Sequence, residues 1–207
     1  MKGIYIFLAN GFEDIEALAV CDVLRRGGAE VKLVSVNNPG EGKTVTSSHG
    51  VSVIADIAFQ DLPENSSPFG ESLLHTVPAD TGDVMIFPGG MPGSKSLAAC
   101  SRLIEIARMH YNEGGALAAI CAAPGLVLSQ LDLPEGMEFT CFDGFQDALI
   151  AKGGKFLDKP AVSCGRIVTG RSAGNAVAFG LAILEHIKGK EEMEKVKAAM
   201  YPGEWKQ

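Results

Sequence analysis

The amino-acid sequence predicts an α/β protein with a mainly parallel sheet covered by helices on both faces, and three observations carry that reading. Short, nearly continuous apolar runs such as 3–8 and 117–120 have the polarity of strands buried on both sides. Segments with helical apolar spacing alternate with these runs, an order that lays the strands parallel. Glycine-rich breaks at 9–11 and 88–93, and an elbow after Ile120, follow the strands' carboxyl ends, where open α/β sheets place their ligands.

The 207 residues, 46% of them hydrophobic, suffice for one substantial core, so a single domain over 1–207 is expected. The net charge of −7 without a basic stripe argues against nucleic acid or an anionic membrane as partner. The sequence has no apolar run of membrane-spanning length and no cleavage-site pattern, so a cytoplasmic location is expected. Five cysteines, at 21, 100, 121, 141 and 164, are odd in number and form no CxxC pair. They read as thiols rather than a disulfide framework or a zinc site, and no cofactor or metal is expected.

Taken in order, the strand 3–8 breaks at 9–11 and leads into a helix. Ile15, Leu18, Ala19, Val23 and Leu24 recur at helical spacing, Glu13 and Asp14 load the first turn, and Gly27 and Gly28 close the helix. A second strand at 31–36 completes a right-handed βαβ unit. The runs 45–48 and 51–54, around His49 and Gly50, suggest an antiparallel excursion, and 57–62 suggests a short helix. The stretch 63–82, with prolines at 63, 68 and 78, reads as an irregular loop. Next come a strand at 83–87, a helix at 101–112, the strand 117–120 and a helix running to about Gln130. Strands at 138–141, 161–164 and 167–169 surround a short helix at 146–151, and helices at 175–187 and 191–200 close the chain.

The sharpest chemical signal is the elbow. Cys121 ends an apolar strand, and Pro124 fits the first turn of the helix that follows. Free N–H groups and a helix dipole at that place favour a thiolate, the nucleophilic form, over a thiol. A buried, inert cysteine is the alternative, since cysteine is among the most buried residue types. Glu16, in the first turns of its helix, allows two readings. Facing solvent it complements the dipole; facing inward it is pushed towards a neutral acid able to donate to a thiolate. Gly89 and Gly90 offer unobstructed backbone N–H groups, and the N–H of Ala122 adjoins the nucleophile, so together they suit an oxyanion; a plain tight turn is the alternative for the glycines.

Four motifs then carry a family resemblance along nearly the whole chain. They are Gly11-Phe-Glu-Asp-Ile-Glu16, Phe87-Pro-Gly-Gly-Met-Pro-Gly93, Ala118-Ala-Ile-Cys121-Ala-Ala-Pro124 and Thr169-Gly-Arg-Ser-Ala-Gly174. In that order and spacing the sequence resembles the ThiJ/PfpI superfamily, within it the branch of the Parkinson-disease-associated protein deglycase. The resemblance implies a flavodoxin-like three-layer sandwich and a homodimer. It also implies Cys121 as a low-pKa nucleophile, Glu16 as its protonated partner, and the backbone N–H groups of Gly90 and Ala122 around a bound oxyanion.

Two positions depart from the pattern. Relatives with glyoxalase or deglycase activity carry a histidine on the strand after the elbow, where this sequence has Cys141, so proton transfer by imidazole is missing there. The peptidase-like branch has a histidine after the nucleophile, where this sequence has Ala122. His49 falls about where relatives present an arginine, as an accessory acid or base or as a turn residue. His75 in the 63–82 loop, His110 on a surface-like helix and His186 late in a helix are not expected to touch the chemistry.

The resemblance implies a cysteine-dependent stress-response protein that attacks a small reactive carbonyl, as glyoxalase III or deglycase enzymes do, or that senses an oxidant through a Cys121 sulfinate. A non-enzymatic redox-regulated chaperone is the first alternative, favoured by the missing histidine. A cysteine hydrolase or amidotransferase is the second, weakened by His186 and Glu185 lying inside a helix rather than at a strand end.

Overall fold

The computed structural model describes residues 1–37, 42–62 and 79–200. In chain order the strands and helices are β1 (Ile4–Leu8), α1 (Asp14–Arg26), β2 (Val31–Ser35), β3 (Thr44–Thr46), β4 (Ser52–Ile54), β5 (Ile57–Ala58) and β6 (Val84–Phe87). They continue with α2 (Gly93–Ala99), α3 (Ser101–Asn112), β7 (Ala116–Ile120), α4 (Ala123–Leu126), β8 (Glu138–Phe139) and α5 (Asp147–Ile150). The last are β9 (Lys155–Phe156), β10 (Ala161–Cys164), β11 (Ile167–Gly170), α6 (Ala176–Lys188) and α7 (Lys190–Met200).

Seven strands form the central sheet in the order β10-β11-β7-β6-β1-β2-β5, parallel except for β10, which pairs antiparallel with β11. Because strand side chains alternate, each central strand feeds two cores. Ile4, Ile6 and Leu8 of β1 join Val20, Phe179 and Leu184 on the α1–α6 side, whereas Phe7 joins Met85, Phe87, Leu103 and Leu117 on the α3 side. Helices therefore cover both faces, the three-layer α/β arrangement expected.

From β1 the chain winds one way through β2 to β5, then returns to β6 on the other side of β1 and continues to β7 and β11. The winding reverses between β1 and β6, and the carboxyl ends of strands at such a reversal are where open α/β sheets place their ligands.

Several elements differ from expectation. The inward face of α1 carries Glu16, Ala17, Val20, Cys21, Val23 and Leu24, while Ile15 is 53% exposed, so the buried stripe is rotated towards Glu16. The run 57–62 is strand β5 followed by a 3₁₀ turn at Phe59–Asp61, because Ile57 and Ala58 pair with the end of β2. Helix α2, unexpected in a stretch that opens on Pro92 and Gly93, precedes α3. After the elbow only four residues are α-helical and a 3₁₀ turn at Leu128–Gln130 follows. The strand expected over 138–141 is confined to Glu138 and Phe139, which pair with β9, a short strand that sequence periodicity left unmarked. Residues 63–78 of the expected loop, His75 included, lie outside the described residues.

Candidate active site

The site is built where three chain segments interlock at the carboxyl end of the sheet. The loop after β1 is held against the loop after β6 by Glu13 N–H donating to Gly89 O at 3.0 Å and Gly93 N–H donating to Gly11 O at 3.2 Å. Gly90 lies at φ +90°, and a Cβ there would fall 2.6 Å from both Gly11 O and Phe12 C, so only glycine lets the two loops approach this closely. Glu13 caps α1, its carboxylate accepting from Glu16 N–H at 2.8 Å. That cap begins the helix in a register that turns Glu16 inward.

Glu16 is 1% exposed, and its Oε2 accepts from the Gly89 N–H at 2.7 Å. Its Oε1 is buried without a regular hydrogen-bond partner. A buried polar atom left in this state is costly, and natural proteins keep few of them. The Cys121 thiol interacts with the same carboxyl group. Gly89 is small by necessity, since a Cβ there would sit 2.6 Å from Cys121 Cβ and would collide with Glu16 Oε2.

Cys121 has φ +64°, the only positive value at a non-glycine position among the described residues. Such a backbone costs about 1–3 kcal/mol and persists where surrounding contacts enforce it. Here Cys121 N–H donates to Gly170 O at 3.0 Å, and its carbonyl accepts from Phe142 N–H at 2.9 Å. The elbow is thus pinned from β11 on one side and from the loop after β8 on the other.

The electrostatics run against the expectation of a low-pKa thiol. Burial raises the Glu16 carboxyl to about 7, outweighing the favourable Cys121 and Gly89 contacts. Burial, then the Glu16 charge and the contact with Glu16, raise the Cys121 thiol to about 12. The N–H groups of Ala122 and Gly90 oppose that rise, in the direction expected of oxyanion donors, but do not overcome it. With only four residues in α4, the helix dipole behind Cys121 is weak. Cys121 and Glu16 therefore titrate as one unit that keeps a single proton between about pH 7 and about 12.

The other singled-out residues lie at the rim or behind the elbow. His49 is exposed in the turn between β3 and β4, with Nδ1 2.6 Å from Asp14 Oδ2 and 4.0 Å from Glu13 Oε1; the Asp14 contact raises its pKa. Glu13, Asp14 and His49 each bring one potential metal-ligating atom within 4.8 Å of the others. However, His49 and Asp14 are already paired, and the second Asp14 oxygen accepts from Ser47 Oγ at 2.5 Å. Cys141 is fully buried in the α3-side core, burial pushing its thiol up to about 12, whereas Cys121 packs against the α1–α6 core. The fold thus brings Cys121, Glu16, Gly90 and Ala122 together and leaves His49 and Cys141 apart from them. His110, expected on a helix surface, is 1% exposed, because the face of α3 that carries it packs on the sheet. His186 Nε2 lies 2.9 Å from Thr81 O.

Two contributors escaped the sequence reading. Gly89, noticed only as a generic donor, supplies the N–H that anchors Glu16. Arg171, inside the motif at 169–174, contacts Cys141 O at 3.2 Å, Asp143 at 2.7 Å and Asp158 at 3.1 Å, clamping the loop that pins Cys121 from behind. An arginine directly after a buried strand was the available signal.

Comparisons with known proteins agree with this geometry. The model of the "DJ-1/PfpI family" matches residues 2–186. The chain is 31% identical over 207 residues to "Protein DJ-1 homolog A" of Arabidopsis thaliana, covering 98% of this chain and 48% of that protein, so it spans about half of that relative's length. It is 32% identical over 195 residues to "Protein dj-1beta" of Drosophila melanogaster, covering 94% of each. Over 180 residues it is 30% identical to "Glutathione-independent glyoxalase DJR-1.2" of Caenorhabditis elegans, covering 87% of this chain and 85% of that one. The structure of oxidized Toxoplasma gondii DJ-1 superposes with a TM-score of 0.79 at 29% identity, covering 95% of this chain and 96% of that one. With a family match over most of its length, a shared α/β architecture and the elbow cysteine in place, the chain belongs to the DJ-1/PfpI family.

Proposed function

We propose that Cys121 and Glu16 form a one-proton nucleophilic pair acting on small reactive carbonyl compounds. The observation that carries this reading is the buried, unpartnered Glu16 Oε1 beside a cysteine held at a positive φ. In the productive form the proton resides on Glu16 and the sulfur is the thiolate. The thiolate adds to an aldehyde carbon to give a hemithioacetal, whose oxygen takes its negative charge near the Ala122 and Gly90 N–H groups. Glu16 then moves protons between carbon and oxygen, turning the hemithioacetal into a thioester, and water adds to its acyl carbon, so that the C–S bond breaks, a hydroxy acid leaves and the Cys121 sulfur is regenerated. A relative named as a glutathione-independent glyoxalase supports this substrate class. Methylglyoxal consumption by wild type and Cys121→Ser tests it: activity that survives the substitution would refute the assignment.

One observation favours a second reading, oxidation sensing. Position 141 carries a buried thiol in place of an imidazole, so the pair has no histidine there to share its proton work. Cys121 would then stop at the sulfinate, with the Glu16 acid donating to a sulfinate oxygen. Intact mass after mild peroxide separates the two readings: stoichiometric sulfinate formation without methylglyoxal turnover selects the sensor.

The same proposal includes a homodimer in the cytoplasm. Ile15 at 53%, Val51 at 47% and Ile54 at 74% exposure put apolar surface on neighbouring parts of α1 and the β3–β4 excursion, surface that a second copy would cover. All five cysteines are free, as a reducing compartment would keep them, and no helix among the described residues is long and apolar enough to cross a membrane. Light scattering giving a monomer mass at micromolar concentration would refute the dimer.

A further inference from the structure

A cavity of about 620 Å³ opens on the opposite face of the sheet from Cys121, within the size range of small-molecule sites. None of its lining residues belongs to the Cys121 site. One wall comes from the carboxyl ends of β1 and β2 and the 3₁₀ turn after β5, with Asn10, Asn37 and Gln60. The other comes from α2 and the start of α3, with Ser96, Cys100 and Arg102. These walls straddle the point where the winding of the sheet reverses, the place where open α/β sheets hold ligands.

The lining has a definite chemical character. In a chain of net charge −7, its lining among the described residues has no carboxylate and one cation, Arg102. Arg102 makes no ion pair among the described residues; its guanidinium lies 5.3 Å above the Phe59 ring, a cation–π contact that holds the charge beside the cavity. Asn10, whose side-chain oxygen accepts from Thr46 N–H at 2.9 Å, has no partner for its two amide donors among the described residues. Gln60 adds a further amide, the Ser96 hydroxyl already donates to Pro92 O at 3.3 Å, and Val36 and Ala99 add apolar side chains.

We infer that this cavity is a second binding site, for a small flat organic anion whose charge pairs with Arg102 and whose ring packs between Val36 on one wall and Ala99 on the other. It is independent of the chemistry assigned to Cys121, and Cys100, half-buried in the same wall, serves as an internal reporter of occupancy.

The test uses anilinonaphthalene sulfonate as the anionic probe and N-phenylnaphthylamine as its uncharged analogue, followed by fluorescence. Iodoacetamide labelling of Cys100, resolved by peptide mass, reports where they bind. Two variants at exposed positions leave the core alone: Arg102→Gln removes the charge, and Ala99→Trp fills the cavity. Thermal unfolding of both should match wild type. The expected result is saturable binding of the sulfonate that slows Cys100 labelling at least about threefold and Cys164 labelling little, weakened about tenfold in Arg102→Gln and abolished in Ala99→Trp. Benzoate should displace the sulfonate and inorganic phosphate should not. Equal affinity for the uncharged analogue, displacement by phosphate as effective as by benzoate, or unchanged Cys100 labelling at saturation would each overturn the inference.

Discussion

The two ends of the central sheet each bury a titratable side chain, and they treat it differently. At the amino end, His110 is 1% exposed, and its Nε2 lies 3.1 Å from Asp83 O and 3.0 Å from Ala116 O, at the starts of β6 and β7. At the carboxyl end, Glu16 is equally buried, yet only one of its oxygens is satisfied. Burial moves both pKa values away from charge, His110 down to about 4 and Glu16 up to about 7. Burial alone therefore does not separate structure from chemistry. Satisfaction does: the histidine is spent on the fold, and the glutamate keeps an unsatisfied oxygen for a reacting partner.

Substitutions should break this comparison unequally. The largest effect is expected from Cys121→Ser, which should abolish methylglyoxal consumption while leaving the fold's unfolding midpoint nearly unchanged. Glu16→Gln should lower turnover about a hundredfold or more, because the amide cannot carry the proton, and peroxide treatment should no longer leave a stable sulfinate. His110→Ala should do the reverse: stability falls by about 2–3 kcal/mol as Asp83 O and Ala116 O lose the Nε2 donor they share and a buried ring is removed, and Cys121 labelling is unaffected. Urea unfolding beside turnover for these variants checks all three expectations.

Stability against pH sharpens the contrast. His110, lowered to about 4, contributes stability that is complete above its ordinary 6.5 and is lost as pH falls through about 4. The Glu16–Cys121 pair, which gives up its first proton at about 7 against 4.5 for a free glutamate, does the opposite: its contribution is complete below 4.5 and is lost as pH rises through about 7. Each shift corresponds to about 3 kcal/mol. Urea midpoints across pH should therefore lose their alkaline limb in Glu16→Gln and their acid limb in His110→Phe. A wild-type profile insensitive to both substitutions would contradict the pairing of roles. The smallest effect is expected at the rim: His49→Gln breaks an exposed contact with Asp14 and should change turnover less than about tenfold. A larger loss would move His49 from the rim into the chemistry.

Much of this fold was legible because apolar runs and helical spacing are local signals. The alternation of 3–8, 83–87 and 117–120 with amphipathic helices identified the parallel sheet, and the proline after Cys121 marked the elbow. Features that depend on partners distant in sequence were not legible. Ile57 and Ala58 become a strand only because β2 offers an edge, and His110 is buried only because β6 and β7 begin beside it. Glu16 shows the same limit at the site. Its motif suggested a role, but its inward register follows from the Glu13 cap and the Gly89 N–H, 73 residues away. The short α4 likewise weakens a dipole argument that the sequence made attractive.

The central claim is that Glu16 and Cys121 share one proton above about pH 7, held by the acid when the sulfur is charged. Its most direct test is the carboxylic-acid stretch in the infrared spectrum, followed with pH beside the ultraviolet absorbance of the thiolate, in wild type, Glu16→Gln and Cys121→Ser. The account predicts an acid band absent from Glu16→Gln that persists above about pH 7, while thiolate absorbance, absent from Cys121→Ser, appears through the same range. Loss of the acid band through about pH 7 with no thiolate absorbance would place the charge on Glu16 and contradict it.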